Sequence, residues 1–144
     1  LIDKIKENYN ISEKTEKFYS PIDKYEISMY LSGKWYSLVA KERNYQNTSE
    51  SLDPSILSKY ILAPILGIKD EKTDKNISFF NGTISLSILK NKVDSGEFTI
   101  AFILKPIDIE SLKKVSDNNE IMPPKSTYIE PKLRSGLTIY NLEN

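Results

Sequence analysis

The sequence predicts a mixed α+β domain with a β-hairpin near the start, three helices, a buried central strand and a C-terminal strand. Three patterns indicate this class: a run with period-two alternation, several segments with apolar residues at helical spacing, and one short uninterrupted apolar run. Helices and strands alternate only in part, which favours a mixed sheet of the α+β class over a doubly wound parallel sheet. A chain of 144 residues is long enough for one such domain.

Residues 1–20 are predicted to be a helical lead-in. Charged side chains surround a few apolar positions there, which is typical of one or two short solvated helices. Because the chain begins with Leu1 and not with methionine, we expect a missing N-terminal region before it. Residues 21–144 would then form the C-terminal domain of a longer protein.

The segment from Tyr25 to Ala40 has the period-two alternation of a β-hairpin, and Ser32-Gly33-Lys34 supplies its turn. Trp35 and Tyr36 are adjacent on the second strand, so their side chains must point to opposite faces. One of the two is therefore expected in the core, and only the other is available to bind a base or a peptide.

A first helix is predicted to start at Pro54, with Asp53 as its N-cap, and to end before Gly67. Its apolar residues recur at helical spacing: Ile56, Leu57, Tyr60 and Ile61. A short apolar run, Ile77 to Phe80, is compatible with a strand.

A second helix is predicted from apolar positions between Ile84 and Val93, with Gly96 available as a left-handed C-cap. Phe98 to Leu104 is nearly uninterrupted apolar sequence, which predicts the central strand with both faces covered. Asp108 can cap a third helix, and Leu137 to Leu142 is predicted to be the C-terminal strand.

The amino-acid composition argues against several classes of function. Twenty basic and twenty acidic residues cancel, so no whole-domain charge attracts nucleic acid. The longest apolar stretches are far below the ~20 residues needed to cross a bilayer. Absence of cysteine excludes disulfides and agrees with a reducing, cytoplasmic location. Absence of histidine removes the usual zinc ligand and the commonest general base.

The segment from Met122 to Gly136 combines prolines with hydroxyls and cations. Lys125, Ser126, Lys132 and Arg134 are the residues predicted to hold phosphate or carboxylate, because several donors lie on a stiff backbone. The alternative is a proline-shaped loop whose lysines face water. A second polar loop, Asp70 to Asn76, carries acidic residues with lysines interleaved, which favours a solvated loop over a metal site.

Several motifs resemble, in order, the C-terminal half of the family filed as domain of unknown function 1015. They are Ser51–Asp53, Ile61–Ile68, Thr73–Lys75, Val93–Glu97, Ile121–Tyr128, Glu130–Lys132 and Arg134–Leu137. The resemblance covers about residues 25–140. It implies a preceding half with an Asp-Gly-His-His-Arg-like motif, distantly similar to the ParB and sulfiredoxin fold, and a proposed small-molecule (serine) kinase activity with ATP or ADP and magnesium.

Two functions follow as expectations. In the first, the chain is the C-terminal subdomain of that kinase and turns a cationic loop towards the phosphate, while the missing N-terminal half does the chemistry. In the second, it is a non-catalytic module that completes the fold or forms a homodimer through hydrophobic surface around Trp35 and Ile65-Leu66. Nucleic-acid binding by analogy with ParB is the weakest alternative.

Overall fold

The computed structural model of the chain describes residues 1–42 and 44–127. Within these ranges an antiparallel sheet of four strands, in the order β1-β3-β2-β4, is combined with α-helices. The elements are α1 (Ile2–Lys6), β1 (Tyr9–Lys14), β2 (Glu26–Leu31), β3 (Lys34–Ala40), α2 (Asp53–Leu57), α3 (Leu86–Asp94), β4 (Ile100–Leu104) and α4 (Ile109–Asp117). The α+β class is confirmed, although the sheet in the described ranges is antiparallel and not mixed. The three predicted helices correspond to α2, α3 and α4, and α1 lies in the predicted helical lead-in.

The predicted hairpin is confirmed. Strands β2 and β3 pair from Glu26↔Val39 to Leu31↔Lys34. The two connecting residues, Ser32 and Gly33, both have positive φ, at 51° and 82°. This is the left-handed pair that a type I′ hairpin turn requires.

The N-terminal residues are not all helical. Only α1 is a helix, and β1 pairs with β3 from Tyr9↔Ala40 to Lys14↔Trp35. The prediction of a helical lead-in is therefore wrong for residues 9–14. The many charges that suggested a solvated helix instead suit an edge strand, where charged side chains discourage pairing with another chain. The division into residues 1–20 and 21–144 stays a prediction.

The core is divided between the two faces of the sheet. On one face, Ile27, Met29 and Leu38 pack with α1 and with the helical segment that begins at Asp53. On the other face, Tyr30 and Trp35 pack with Tyr19 and with α3. The sheet is therefore covered on both sides by segments that lie far apart in sequence.

The helix predicted at Pro54 is present. α2 runs directly into a π-helical turn, Ser58–Leu62, and both Ile56 and Ile61 are buried. One detail differs: Leu52 occupies the N-cap position, and no side chain caps this helix. The Asp53 carboxylate instead accepts a hydrogen bond from the Tyr25 N–H.

The apolar run at Phe98 contains a strand, β4, as predicted, but β4 is not central among the four described strands. β4 pairs with β2 and lies at one end of the strand order in the described part of the chain. Its side chains pack on both faces, yet all five are only half-buried. Among the described strands β4 has one neighbour and β2 has two, and the side chains of β4 are more exposed than those of β2.

The remaining predictions have mixed outcomes. Ile77 to Phe80 forms no strand. Helix α3 ends before Gly96, whose φ of +79° is the predicted left-handed C-cap conformation. Asp108 caps α4 as predicted, because its carboxylate accepts a hydrogen bond from the Ser111 N–H. The predicted strand Leu137 to Leu142 lies outside the described residues. No helix in the described ranges is long and apolar enough to cross a membrane.

Candidate functional site

Two of the four predicted anion-binding residues, Lys125 and Ser126, lie in the described part of the chain, whereas Lys132 and Arg134 lie outside it. Lys125 is exposed and has a φ of 55°. The Ser126 hydroxyl donates to the carbonyl oxygen of Pro123 at 2.6 Å. Ser126 therefore closes the turn that presents Lys125 to solvent, while its hydroxyl is already engaged.

This loop is fastened to a distant segment by Glu120. The Glu120 carboxylate accepts hydrogen bonds from the N–H groups of Thr48 at 3.2 Å and Ser49 at 2.6 Å. The Ser49 hydroxyl donates in return to the carbonyl oxygen of Ile121 at 2.6 Å. The 3₁₀ turn Ser49–Ser51 begins here and leads directly to Asp53. The residues just before Lys125 are thus held against the segment that carries the buried carboxyl of Asp53.

Asp53 lies in a cleft of about 110 Å³ that the sequence did not predict. Segments from four parts of the chain form this cleft: the residue before Tyr25, the start of α2, the residues after β4 and the first turn of α4. Its lining residues are Lys24, Leu52, Asp53, Lys105, Pro106, Ile107, Asp108 and Ser111. Two lysines and two aspartates therefore meet in one small space.

The Asp53 side chain is buried, with 8% of its surface exposed. It accepts a hydrogen bond from the Tyr25 N–H at 2.9 Å, and Tyr25 has a φ of 68°. Burial raises the pKa of Asp53 to about 6, although the Tyr25 N–H and the nearby charges of Lys24 and Lys105 oppose this rise. A carboxyl with this pKa changes its charge close to neutral pH, which is common for groups at functional sites.

The other charged groups of the cleft have defined contacts. Lys105 donates from Nζ to the carbonyl oxygen of Ile22 at 2.6 Å. Lys24 Nζ lies 4.9 Å from the centre of the Tyr25 ring. Since an ammonium carries three N–H donors, each lysine retains donors for a ligand.

The Asp108 carboxylate is already hydrogen-bonded to the first turn of α4. Its two carboxylate oxygens accept from the Ser111 N–H at 2.7 Å and from the Ser111 hydroxyl at 3.0 Å. These two hydrogen bonds lower the pKa of Asp108. Asp108 is therefore a fixed negative charge, whereas Asp53 is a variable one.

The segment that carries Lys24 is itself held in place by Glu26. The Glu26 carboxylate accepts from the N–H groups of Ile22 at 2.8 Å and Asp23 at 3.3 Å. Together with the bond from Lys105 to Ile22, these contacts fix the turn before β2 over the cleft. Asp53 and Lys24 were missed in the sequence because the contact between Tyr25 and Asp53 joins residues 28 positions apart. No local pattern signals such a contact.

A second hollow of about 450 Å³ lies between the hairpin turn and the end of α3. Its carboxylate, Asp94, is exposed; it accepts from the Tyr30 hydroxyl at 2.7 Å and pairs with Lys90. This pairing fastens α3 to the sheet, so a structural role accounts for Asp94.

The structure places Trp35 and Tyr36 on opposite faces of the sheet. Trp35 is 2% exposed, and its indole N–H donates to the carbonyl oxygen of Lys17 at 3.1 Å. Tyr36, on the opposite face, is half-buried against the cluster that contains Ile27, Met29 and Leu38. The prediction that one of this pair is core is confirmed. Because Trp35 is buried, its side chain does not contribute to the homodimer surface proposed around Trp35 and Ile65-Leu66. The homodimer itself stays a prediction.

The acidic loop before α3 has the structure of a surface turn. Asp70 accepts from the Lys72 N–H at 3.0 Å and from the Thr73 hydroxyl at 2.8 Å. Across residues 1–42 and 44–127, no three residues of the types Asp, Glu, His and Cys are grouped closely enough to hold a metal ion.

No protein-family model, curated protein or solved structure matches this chain. The resemblance to domain of unknown function family 1015 therefore stays a prediction that rests on the motifs alone.

Proposed function

We propose that this chain is the C-terminal subdomain of a cytoplasmic small-molecule kinase and that it holds a phosphoryl group in the Asp53 cleft. In this proposal, ATP or ADP with magnesium supplies the phosphoryl group to a hydroxyl such as that of serine. The groups that do the chemistry belong to a preceding half of the same protein. One observation carries the proposal: Lys24 and Lys105, which are 81 positions apart in the printed sequence, line the same small cleft.

Two lysines brought together from distant segments suit an anionic ligand. Charge-assisted hydrogen bonds from ammonium groups to phosphate are about twice as strong as neutral ones. Phosphoryl transfer depends mainly on positioning and on stabilising charge. A subdomain that supplies two cations is therefore a useful part of such an enzyme even without a histidine or cysteine of its own.

The size of the cleft sets what it would take. Its volume of about 110 Å³ is smaller than the roughly 300–1,000 Å³ of pockets that enclose a drug-sized ligand. A phosphoryl group suits this space, but a whole nucleotide does not. The base and ribose of ATP or ADP would have to lie outside the cleft, against other parts of the protein.

Lys125 would extend the cationic surface beyond the cleft. The contacts of Glu120 hold the Lys125 loop to the turn that leads into Asp53. Lys132 and Arg134 remain proposed contributors from the same segment. The cytoplasmic location is supported by the absence of cysteine from the chain.

Sulfate titration tests the proposal, with backbone amide shifts of the ¹⁵N-labelled chain as the readout. We expect saturable shifts at Lys24, Lys105 and the first turn of α4, and we expect the double substitution Lys24→Gln and Lys105→Gln to abolish them. The matched control replaces Lys34 and Lys59 by glutamine, because both lie in exposed ion pairs outside the cleft. If both double variants bind sulfate as the native chain does, the proposal is refuted and a non-catalytic structural role takes its place.

A further inference from the structure

The net charge of the Asp53 cleft depends on one proton. Four charged groups face this space: Lys24 from the turn before β2, Lys105 after β4, Asp108 at the start of α4 and Asp53 itself. Asp108 stays ionised because Ser111 donates two hydrogen bonds to it. With Asp53 ionised, the two cations and two anions cancel. With Asp53 protonated, the cleft has a net charge of +1.

We propose that binding of a phosphate-class dianion in this cleft is coupled to uptake of one proton by Asp53. This inference rests on the proposed function, since the dianion is the group that the proposed function places there. In the coupled step the Asp53 carboxylate gains a proton from solvent as the anion enters. No covalent bond to the anion forms or breaks.

Burial and a hydrogen bond hold the Asp53 carboxyl in the cleft, where it would face an incoming anion. Its side chain is 8% exposed, and one carboxylate oxygen is held by the Tyr25 N–H at 2.9 Å. An anion beside the buried, ionised Asp53 would place two negative charges close together, which is strongly unfavourable. Because burial and this hydrogen bond hold the Asp53 carboxyl in the cleft, its neutralisation by a proton favours entry of the anion.

Electrostatics support the direction of the coupling. Burial already raises the pKa of Asp53 to about 6, against the opposing charges of Lys24 and Lys105. An anion bound to both lysines would cancel those two attractions and add a like charge, and each change raises the pKa further. At neutral pH, Asp53 would be mostly ionised in the free cleft and mostly protonated in the occupied one.

Calorimetry with sulfate tests the coupling, because sulfate itself does not titrate near neutral pH. Titrations of the chain at pH 7 in two buffers of different ionisation enthalpy would measure the protons taken up. We expect about half a proton or more, and sulfate affinity about tenfold higher at low pH for each unit by which the pKa rises. Asp53→Asn keeps an oxygen for the Tyr25 N–H and should bind sulfate without proton uptake. Asp70→Asn, in an exposed turn, should leave the uptake unchanged.

The outcomes separate this inference from the proposed function. Sulfate binding by the native chain without proton uptake would overturn the coupling and leave the proposed function intact. No sulfate binding would overturn both. If Asp53→Asn does not fold, the ¹³C titration of the Asp53 carboxyl in the native chain decides, since a pKa that sulfate does not raise would refute the coupling.

Discussion

Glu26 is a buried carboxylate whose replacement should reveal how much one charge stabilises this fold. It accepts hydrogen bonds from the hydroxyls of Tyr19, at 2.6 Å, and Ser37, and from the N–H groups of Ile22, at 2.8 Å, and Asp23, at 3.3 Å. Burial alone would raise the pKa of Glu26, but these four hydrogen bonds outweigh burial and lower the pKa from 4.5 to about 2. The folded state therefore favours the ionised form.

This pKa shift sets the size and sign of the effect on stability. At 1.36 kcal/mol per pKa unit, it corresponds to about 3 kcal/mol. Because the folded pKa is lowered, the stabilisation is fully present above pH 4.5 and is lost as the pH falls towards 2. More than half of it should be gone by about pH 3. We expect Glu26→Gln to lower the free energy of unfolding by about 3 kcal/mol at pH 7 and by much less at pH 3.

Urea unfolding followed by tryptophan fluorescence provides the assay, because the chain has one tryptophan and its side chain is buried. Coincidence with far-UV circular dichroism would establish two-state behaviour. The matched control is Glu13→Gln, which removes a half-exposed carboxylate paired with Lys34. An exposed pair contributes about 0–1 kcal/mol, so the control should change stability little.

The free energy of unfolding of each variant is compared with that of the native chain at the same pH. The other carboxyls titrate alike in both proteins, so their effect on stability cancels. If Glu26→Gln costs the same at pH 3 as at pH 7, the charge of Glu26 is not what stabilises the fold. If Glu26→Gln and Glu13→Gln cost the same at pH 7, the four hydrogen bonds contribute no more than a surface ion pair.

Two further predictions concern the hairpin and the chemistry. Gly33→Ala should destabilise the fold by roughly 1–2 kcal/mol, because a residue with a side chain is strained at a φ of +82°. No atom lies within 4 Å of the new Cβ, so backbone strain and not a steric clash would be the cause. An unchanged midpoint of urea unfolding would contradict this argument. The isolated chain should show no phosphotransferase turnover with ATP or ADP and serine, because the proposed function places the reactive groups in a preceding half of the protein. Sustained turnover in a coupled assay would contradict that division.

The sequence was sufficient for features that neighbouring residues determine. The turn at Ser32 and Gly33, the N-cap Asp108 and the C-cap Gly96 were predicted because each depends on the conformation or hydrogen bonding of a few adjacent residues. The opposite orientations of Trp35 and Tyr36 follow from the alternation of any strand.

Features that depend on distant residues were not accessible in this way. Strand β4 has the composition of a central strand, but only its pairing with β2 places it at an end of the described sheet. Asp53 has the sequence context of an N-cap, yet the competing N–H of Tyr25, from another segment, takes its carboxylate. Local propensity was outweighed by a tertiary contact in both cases.

A comparison of the two buried carboxyls shows why Asp53 is a better functional candidate than Glu26. Glu26 is 5% exposed and Asp53 is 8% exposed. Glu26 receives four hydrogen bonds, which hold it ionised at any physiological pH. For Asp53 one hydrogen bond is described, from the Tyr25 N–H, and burial raises its pKa by more than this bond and the nearby lysines lower it. A carboxylate that its neighbours satisfy contributes to stability, whereas one that lacks such donors is costly to keep charged and gains most from a proton or a ligand. The difference in hydrogen bonding therefore assigns Glu26 to the scaffold and Asp53 to the proposed anion site.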